Sequence, residues 1–271
     1  MEQLFTSLNT GARMPLLGLG VYDMYSAEAE AAVVCALETG YRLIDTAAMY
    51  DNEKEIGNAI RSSAVPRNEI FLTTKVANSD QGFDNTLRAF DESLKKLNCE
   101  YIDLYLVHWP VRGKRKDTWL ALERLFIEKR VRAIGVANYL IPFLNELQTY
   151  ASVVPALDQV EFSPFLYLKD LAAHCTKKGI VLQAYTPLVR GQKFNHPGLI
   201  SMAEKYHKTP AQILLRWAVQ LGVSTIPKSA SPQRIKENFN IFDFTISTED
   251  MEVIGSWNEN FRVVEDPLEM L

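Results

Sequence analysis

Eight short apolar runs, separated by helix-length amphipathic stretches, recur along most of the chain, and this alternation constrains the fold more than any other feature. The strand-like runs are Leu16–Gly20, Arg42–Asp45, Ile70–Lys75, Ile102–His108, Ala133–Ala137, Ala156–Glu161, Val181–Tyr185 and Ser224–Pro227. The helical stretches are Ala27–Thr39, Asn52–Arg61, Phe83–Leu97, Thr118–Lys129, Ile141–Tyr150, Leu168–Lys178, Thr209–Gly222 and Pro232–Phe239. Runs that are apolar throughout, rather than alternating with polar residues, suit parallel strands covered on both faces. Eight of them with crossover helices, and no all-helical half, predict an α/β fold, a closed (β/α)8 TIM barrel.

Several boundaries have local causes. Ser26 and Thr209 stand at helix starts, where a side-chain oxygen can cap a free N–H, and Pro210 suits the first helical position. Gly40, Gly179 and Gly222 follow helical runs, where a left-handed residue is wanted. Asn9-Thr10-Gly11, between Leu4–Leu8 and Arg13–Leu16, reads as the turn of an N-terminal β-hairpin that would plug the barrel bottom. No linker, repeat or low-complexity tract interrupts the pattern, so residues 1–271 are expected to form one barrel domain.

Parallel strands in a barrel end on one face, and that face is where barrel enzymes work. Here the second strand-like run ends in Asp45, with Tyr50 in the polar turn beyond it; the third ends in Lys75 and the fourth in His108, followed by Trp109-Pro110. A lysine stem buried at a barrel rim needs a carboxylate to stay charged, and Asp45 can supply one. That pair brings a cation towards Tyr50, which predicts a lowering of a phenol pKa that starts near 10. A phenol flanked by a cation and a histidine is a way to build a proton donor for a carbonyl oxygen.

Composition removes other classes. A net charge of −4, from 29 basic and 33 acidic residues, makes no electrostatic case for nucleic acid. Cys35, Cys99 and Cys175 are an odd, widely spaced set with no CxxC pair, which fits a reducing cytosol better than a disulfide framework. No apolar stretch approaches the roughly 18 residues of a membrane span, and the N-terminus lacks a basic region followed by an apolar run. His108, His174, His196 and His207 have no metal-ligand spacing, so no metal is expected. The expectation is a cytoplasmic protein, with neither nucleic acid nor membrane as a partner.

Six segments taken together carry a family resemblance: Pro15–Gly20, Gly40–Tyr50, Leu104–Pro110, Ile134–Asn138, Asp158–Glu161 and Ile226–Asn238. In this order, each at a strand end, they resemble the aldo-keto reductase family over nearly the whole chain. The short loop after Trp109 and the brief tail from Asn258 to Leu271 are similar to the compact microbial type, such as diketogluconate reductases and prostaglandin F synthase-like members. The resemblance implies a monomer that reduces aldehydes and ketones. It makes Tyr50 the general acid, Lys75 and Asp45 its tuners, and His108 the group that orients the carbonyl and assists proton transfer.

A proton donor facing a carbonyl still needs a reductant, and no side chain donates hydride, so a nicotinamide cofactor is required. Gly18-Leu-Gly20-Val21 begins like a dinucleotide fingerprint, but the third glycine is missing and a Rossmann reading is disfavoured. Ile226–Asn238 instead ends the last strand and opens a helix through Ser231-Pro232, a common phosphate site in barrels. Lys228 and Ser229 offer donors there, and Arg234 a guanidinium fork. The resemblance implies that this segment, with Glu237 and Asn238, grips the adenosine 2′-phosphate, which favours NADPH/NADP+. It also assigns Asn138 and Gln159 to the nicotinamide carboxamide, Tyr185 to stacking on the ring, and Leu188 and Arg190 to a loop over the pyrophosphate. Gly20, Val21 and Asp45 complete the cofactor set.

The chain departs from the family pattern in places. Ala137 stands for a common serine, Asp158 for asparagine, Ser163 for histidine, Val189 for glycine, and Ala77 for a tryptophan. Tyr22 and Trp109 would flank the carbonyl together with Tyr50 and His108, and both also suit a core role. Arg112, Lys114, Arg115 and Lys116 read as a solvated loop, with a preference for anionic substrates as the other reading. Two alternatives to carbonyl reduction stay open. One is an NADP(H)-binding regulatory or sensor protein on the same barrel with little turnover. The other is a barrel lyase or isomerase with Lys75 as a Schiff base, which the Asp45 partner opposes.

Overall fold

The computed structural model describes residues 3–270. Strands β1 (Phe5–Ser7) and β2 (Arg13–Pro15) form an antiparallel hairpin, turned by a left-handed Gly11. Its Leu8 and Met14 are buried against Leu43, Phe71, Leu104, Ala156, Leu157 and Ile226, residues near the amino ends and interior of the barrel strands. The hairpin thus closes the barrel bottom, as its sequence predicts.

Eight parallel strands follow in chain order: β3 (Leu19–Gly20), β4 (Leu43–Asp45), β5 (Phe71–Val76), β6 (Ile102–Val107), β7 (Val131–Ala137), β8 (Leu157–Glu161), β9 (Val181–Tyr185) and β10 (Ser224–Thr225). Each pairs with its sequence neighbour. The ring closes through the Leu17–Thr225 and Gly20–Lys228 bridges and the hydrogen bonds from Gly18 N–H to Thr225 O and Thr225 N–H to Leu16 O. Closure is tight at Gly20, where a Cβ would lie 2.8 Å from the Ile226 carbonyl. Strands β5 and β6 are buried at every position, which is why neither alternates between apolar and solvated residues; their polar members Thr73, Thr74, Lys75 and Asp103 are buried too.

The helices lie outside the strands: α1 (Ser26–Thr39), α2 (Glu53–Ser62), α3 (Phe83–Leu97), α4 (Arg115–Ile127), α5 (Ile141–Gln148), α6 (Lys169–Lys178), α7 (Pro197–Tyr206), α8 (Pro210–Gln220), α9 (Pro232–Phe239) and α10 (Thr248–Gly255). Thr209 caps α8 in a reciprocal capping box with Gln212. Gly40, Gly179 and Gly222 are all left-handed, as expected. Ser26 is not a cap: it is the first helical residue, at φ 50°, and Tyr25 precedes it without a capping side chain. Helix α4 begins at Arg115 rather than Thr118, so Arg115 and Lys116 form a first helical turn and not a solvated loop. Arg115 pairs with Glu146 and donates to the Pro110 carbonyl. Helices α7 and α10 lie outside the strand–helix alternation and were not expected from it. Among the described residues no helix is long and apolar enough to cross a membrane.

Candidate active site

The carboxyl ends of β4, β5 and β6 bring three ionisable groups into one cluster. Asp45 is the last residue of β4, Lys75 the penultimate residue of β5, and His108 follows directly on β6. Tyr50 ends a single helical turn, Ala48–Tyr50, just beyond β4. Lys75 is fully buried; its Nζ donates to Asp45 Oδ1 at 2.6 Å, to the Thr46 carbonyl at 2.9 Å and, at the 3.5 Å limit, to Tyr50 Oη. The His108 ring lies edge-on to Tyr50 with centroids 5.6 Å apart, and its Nδ1 is buried without a hydrogen-bond partner.

A polar chain runs on from this cluster across the barrel. Asp45 Oδ2 accepts from Gln159 Nε2 at 2.7 Å, the same nitrogen donates to Gln183 Oε1 at 2.7 Å, and Gln183 Nε2 donates to Ser224 Oγ at 3.0 Å. A continuous chain from Tyr50 to Ser224 therefore crosses five strand ends or interiors. Apart from half-buried Tyr50 its members are buried, so each must find its partner within the barrel.

Burial dominates the titration of the quartet. It raises the Asp45 carboxyl and lowers the Lys75 ammonium, and in each case the partner's charge and the hydrogen bond between them oppose the shift. Burial also pushes His108 well below the usual histidine range, with Lys75 adding to it, so the ring is neutral at physiological pH. The expected lowering of Tyr50 does not occur. Burial pushes its phenol well above the ordinary range, and Asp45 and Tyr22 push the same way. The physical reason is that burial disfavours the phenolate first of all, and the Asp45 carboxylate beside Lys75 disfavours it further. Tyr50 is consequently held protonated, as a donor must be.

The other predicted residues divide. Gly20 pairs in register with Asp45 and bridges to Lys228, so it lies between the quartet and the end of β10. Val21 is buried and donates its N–H to the Asp45 carbonyl. Tyr22 is 56% exposed and edge-on to Tyr50 with centroids 5.2 Å apart, which removes its core reading. Trp109 is half-buried, and its carbonyl accepts from Gln81. Asn138, in a left-handed conformation, donates to the His108 carbonyl and accepts from Tyr185 Oη at 2.7 Å, so both ends of its amide are engaged within the protein. The nitrogen of Gln159 is likewise committed to Asp45 and Gln183.

Arg190 is exposed and Leu188 half-buried in the loop after β9, where Thr186, Val189 and Arg190 are all left-handed. A β-branched residue at φ 45° is strained, which explains why glycine suits position 189; here Val189 is held by burial and by its N–H bond to the Thr186 carbonyl. At the start of α9 Ser231 caps the helix, Ser229 accepts from the Ser231 N–H, and Lys228 and Arg234 are exposed. No salt bridge among the described residues engages either cation. Two free cations and a capped helix start form a donor set that fits the phosphates of a dinucleotide. Asn238 is buried beside them, whereas Glu237 accepts from Thr209 Oγ1 and ties α9 to the α8 cap.

The departures also find places. Ser163 accepts from the Phe165 and Leu166 N–H groups, making a local turn. Ala77 is buried at the end of β5, and Ala137 within β7. Asp158 is fully buried with neither carboxylate oxygen in a hydrogen bond, and burial pushes its carboxyl well above the usual range. One supporting residue was not expected. Buried Asn52 accepts from Thr46 Oγ1 and donates to the Val21 and Met24 carbonyls, holding the loop that carries Tyr22. In the sequence Asn52 only opens the helical stretch Asn52–Arg61, which gives no sign of this role.

Residues 17–259 match the model of the aldo/keto reductase family. A glyoxal reductase of Bacillus subtilis is 48% identical over 265 residues, covering 97% of this chain and 96% of that protein. Among solved structures, an aldo-keto reductase from a Medee basin deep-sea metagenome library superposes with a TM-score of 0.94 at 42% identity, over 96% of this chain and 97% of that one. A Bombyx mori aldo-keto reductase in complex with NADP gives 0.91 at 34% identity, over 98% and 96%.

Proposed function

The chain belongs to the aldo/keto reductase family, and from that premise we propose that it reduces aldehydes and ketones to alcohols with NADPH, Tyr50 being the general acid. The observation that carries this reading is the buried contact series from Tyr50 Oη through Lys75 Nζ to Asp45 Oδ1. Lys228, Ser229 and Arg234 would hold the phosphates, and Tyr185, with Asn138 and the Gln159 oxygen, the nicotinamide end. The bound nicotinamide supplies the hydride.

The protein's own residues do the rest. Tyr50 keeps its proton until a carbonyl oxygen gains negative charge, because its pKa lies above the ordinary phenol range. Lys75 stands behind the phenol as a fixed donor, ready to stabilise the phenolate once the proton has left. Neutral His108 can donate one hydrogen bond to the same oxygen without adding charge. Tyr22 and Trp109 border the carbonyl, and the burial of Asp45 and Lys75 keeps water from the pair that orders the donor.

Tyr50→Phe tests the reading. Removing a general acid should lower kcat by about 10²–10⁴-fold with NADPH affinity preserved. Retained turnover in this variant would sink the assignment. Wild-type protein that binds NADPH but oxidises none with a panel of glyoxal, aldehydes, ketones, keto-sugars and quinones would favour the sensor reading instead. Arg234→Ala should weaken NADPH binding far more than NADH binding, and equal losses would refute a 2′-phosphate role.

A further inference from the structure

Glu161 is a buried carboxylate on the active face that the reduction mechanism does not use. It ends β8, pairs in register with Tyr185, and is 3% exposed. Its Oε1 accepts the Val263 N–H at 2.7 Å, while Oε2 is buried with no hydrogen bond and lies 4.0 Å from the Arg262 guanidinium. Arg262 and Val263 belong to the segment after α10, which runs over this face with fixed points at both ends. Near its start, Asn258 accepts from the Tyr167 N–H, and the Glu259 and Phe261 N–H groups donate to the Phe165 carbonyl. At its far end, Arg115 donates to the Met270 carbonyl at 3.3 Å. There Glu269 and Met270, with Val111 and Arg112, bound a cavity of about 230 Å³ just beyond Trp109-Pro110. The segment is therefore a strap from the end of β8 to the loop after β6, and Glu161 is its buried middle anchor.

A neutral acceptor would satisfy the Val263 N–H at less cost than a buried charge. The carboxylate has a further use because a cation of the strap, Arg262, stands 4.0 Å from it and opposes the upward shift that burial gives it. We propose that Glu161 is a positioning residue for the reduction reaction: it clamps the strap to the end of β8, and so sets the affinity for the carbonyl substrate without touching the reacting atoms. This rests on the reductase reading above. It follows that loss of the clamp loosens the strap beside Trp109-Pro110, raising KM while kcat and proton donation from Tyr50 stay as they are.

The test compares Glu161→Ala, Glu161→Gln, Arg262→Ala and the Glu161→Ala/Arg262→Ala pair in the full-length protein with NADPH bound, using an aromatic aldehyde. Glu161→Ala should raise KM about tenfold, the loss expected from one hydrogen bond to a charged group, with kcat within about twofold. Glutamine keeps the acceptor for Val263 and should recover part of the loss. The double variant should lose less than the sum of the two singles, because both remove the same clamp. Amide exchange at Val263 should speed up in Glu161→Ala while the β5 and β6 amides stay protected. That measurement needs no turnover, so it separates failure of the clamp from failure of the reductase reading. An unchanged KM in Glu161→Ala, or unchanged exchange at Val263, overturns the proposal. If Glu161→Ala does not fold, Arg262→Ala alone decides: a raised KM supports the clamp, and wild-type values reject it.

Discussion

The two ends of the barrel each bury a carboxylate, and they use it differently. At the amino end Asp103, 2% exposed, receives Arg67 at 2.8 Å on one oxygen and Arg132 at 3.0 Å on the other, and also accepts the Leu72 N–H. Both arginines lie over the Tyr101 ring at 4.1 Å, so the cluster is braced by planar groups that cannot lose their charge. At the carboxyl end Asp45, equally buried, has a lysine and an amide as partners, and its cation reaches on to a phenol. Two arginines saturate a carboxylate and fix a structure. One lysine leaves a donor free to act on a neighbour and to answer a change in charge there. The same residue type thus sits in a closed ion cluster at one pole and in a chain that reaches a phenol at the other, because of the cation paired with it.

Lys75→Met should break the comparison most. It strands Asp45 in the barrel, so stability should fall by about 3–5 kcal/mol in chemical denaturation, and kcat/KM should fall by about 10²–10³-fold. Adding Asp45→Asn should recover most of the stability and none of the rate; recovery of both would mean that the ion pair is only structural. Asp103→Asn is the converse. It keeps the shape but weakens three hydrogen bonds, and should cost about 2–3 kcal/mol with kcat unchanged. A loss of rate at wild-type stability would show that the two poles are coupled.

Asp158→Asn gives the smallest effect and the opposite sign. The folded Asp158 pKa lies above its unfolded value, so the folded state binds more protons over the interval between them. The group therefore destabilises the fold progressively as pH rises above about 4, and the full penalty is present once pH exceeds the folded value. Asparagine should raise Tm at pH 7 and flatten the decline of Tm from acid to neutral pH. A Tm lower than wild type at pH 7 would contradict an unpaired carboxyl at this position.

Much of this was legible beforehand, for reasons that differ between residues. Strands β4 to β9 were readable because parallel strands covered on both faces are mostly apolar and do not alternate with solvated residues. The short β3 and β10 were overextended, since barrel closure there runs through isolated bridges at Leu17 and Gly20 rather than a full ladder. Helices α7 and α10 escaped because they belong to no strand–helix unit. Asp45, Tyr50, Lys75 and His108 stood out as polar groups at apolar strand ends. Gln183 and Ser224, which carry the polar chain onward, sit within strands and looked like ordinary interior residues.

The sequence by itself determined the barrel, its hairpin plug and the identity of the four groups at its carboxyl end, because periodicity and strand-end position are local properties. Only the tertiary structure decided how those groups titrate. The Tyr50 phenol is raised rather than lowered because burial strips it of water and the Asp45 charge adds to the shift, and both follow from how the strand ends and the Ala48–Tyr50 turn pack together. It likewise decided that Glu161 meets Val263, since residues about a hundred positions apart come together only when the tail folds back over the barrel mouth.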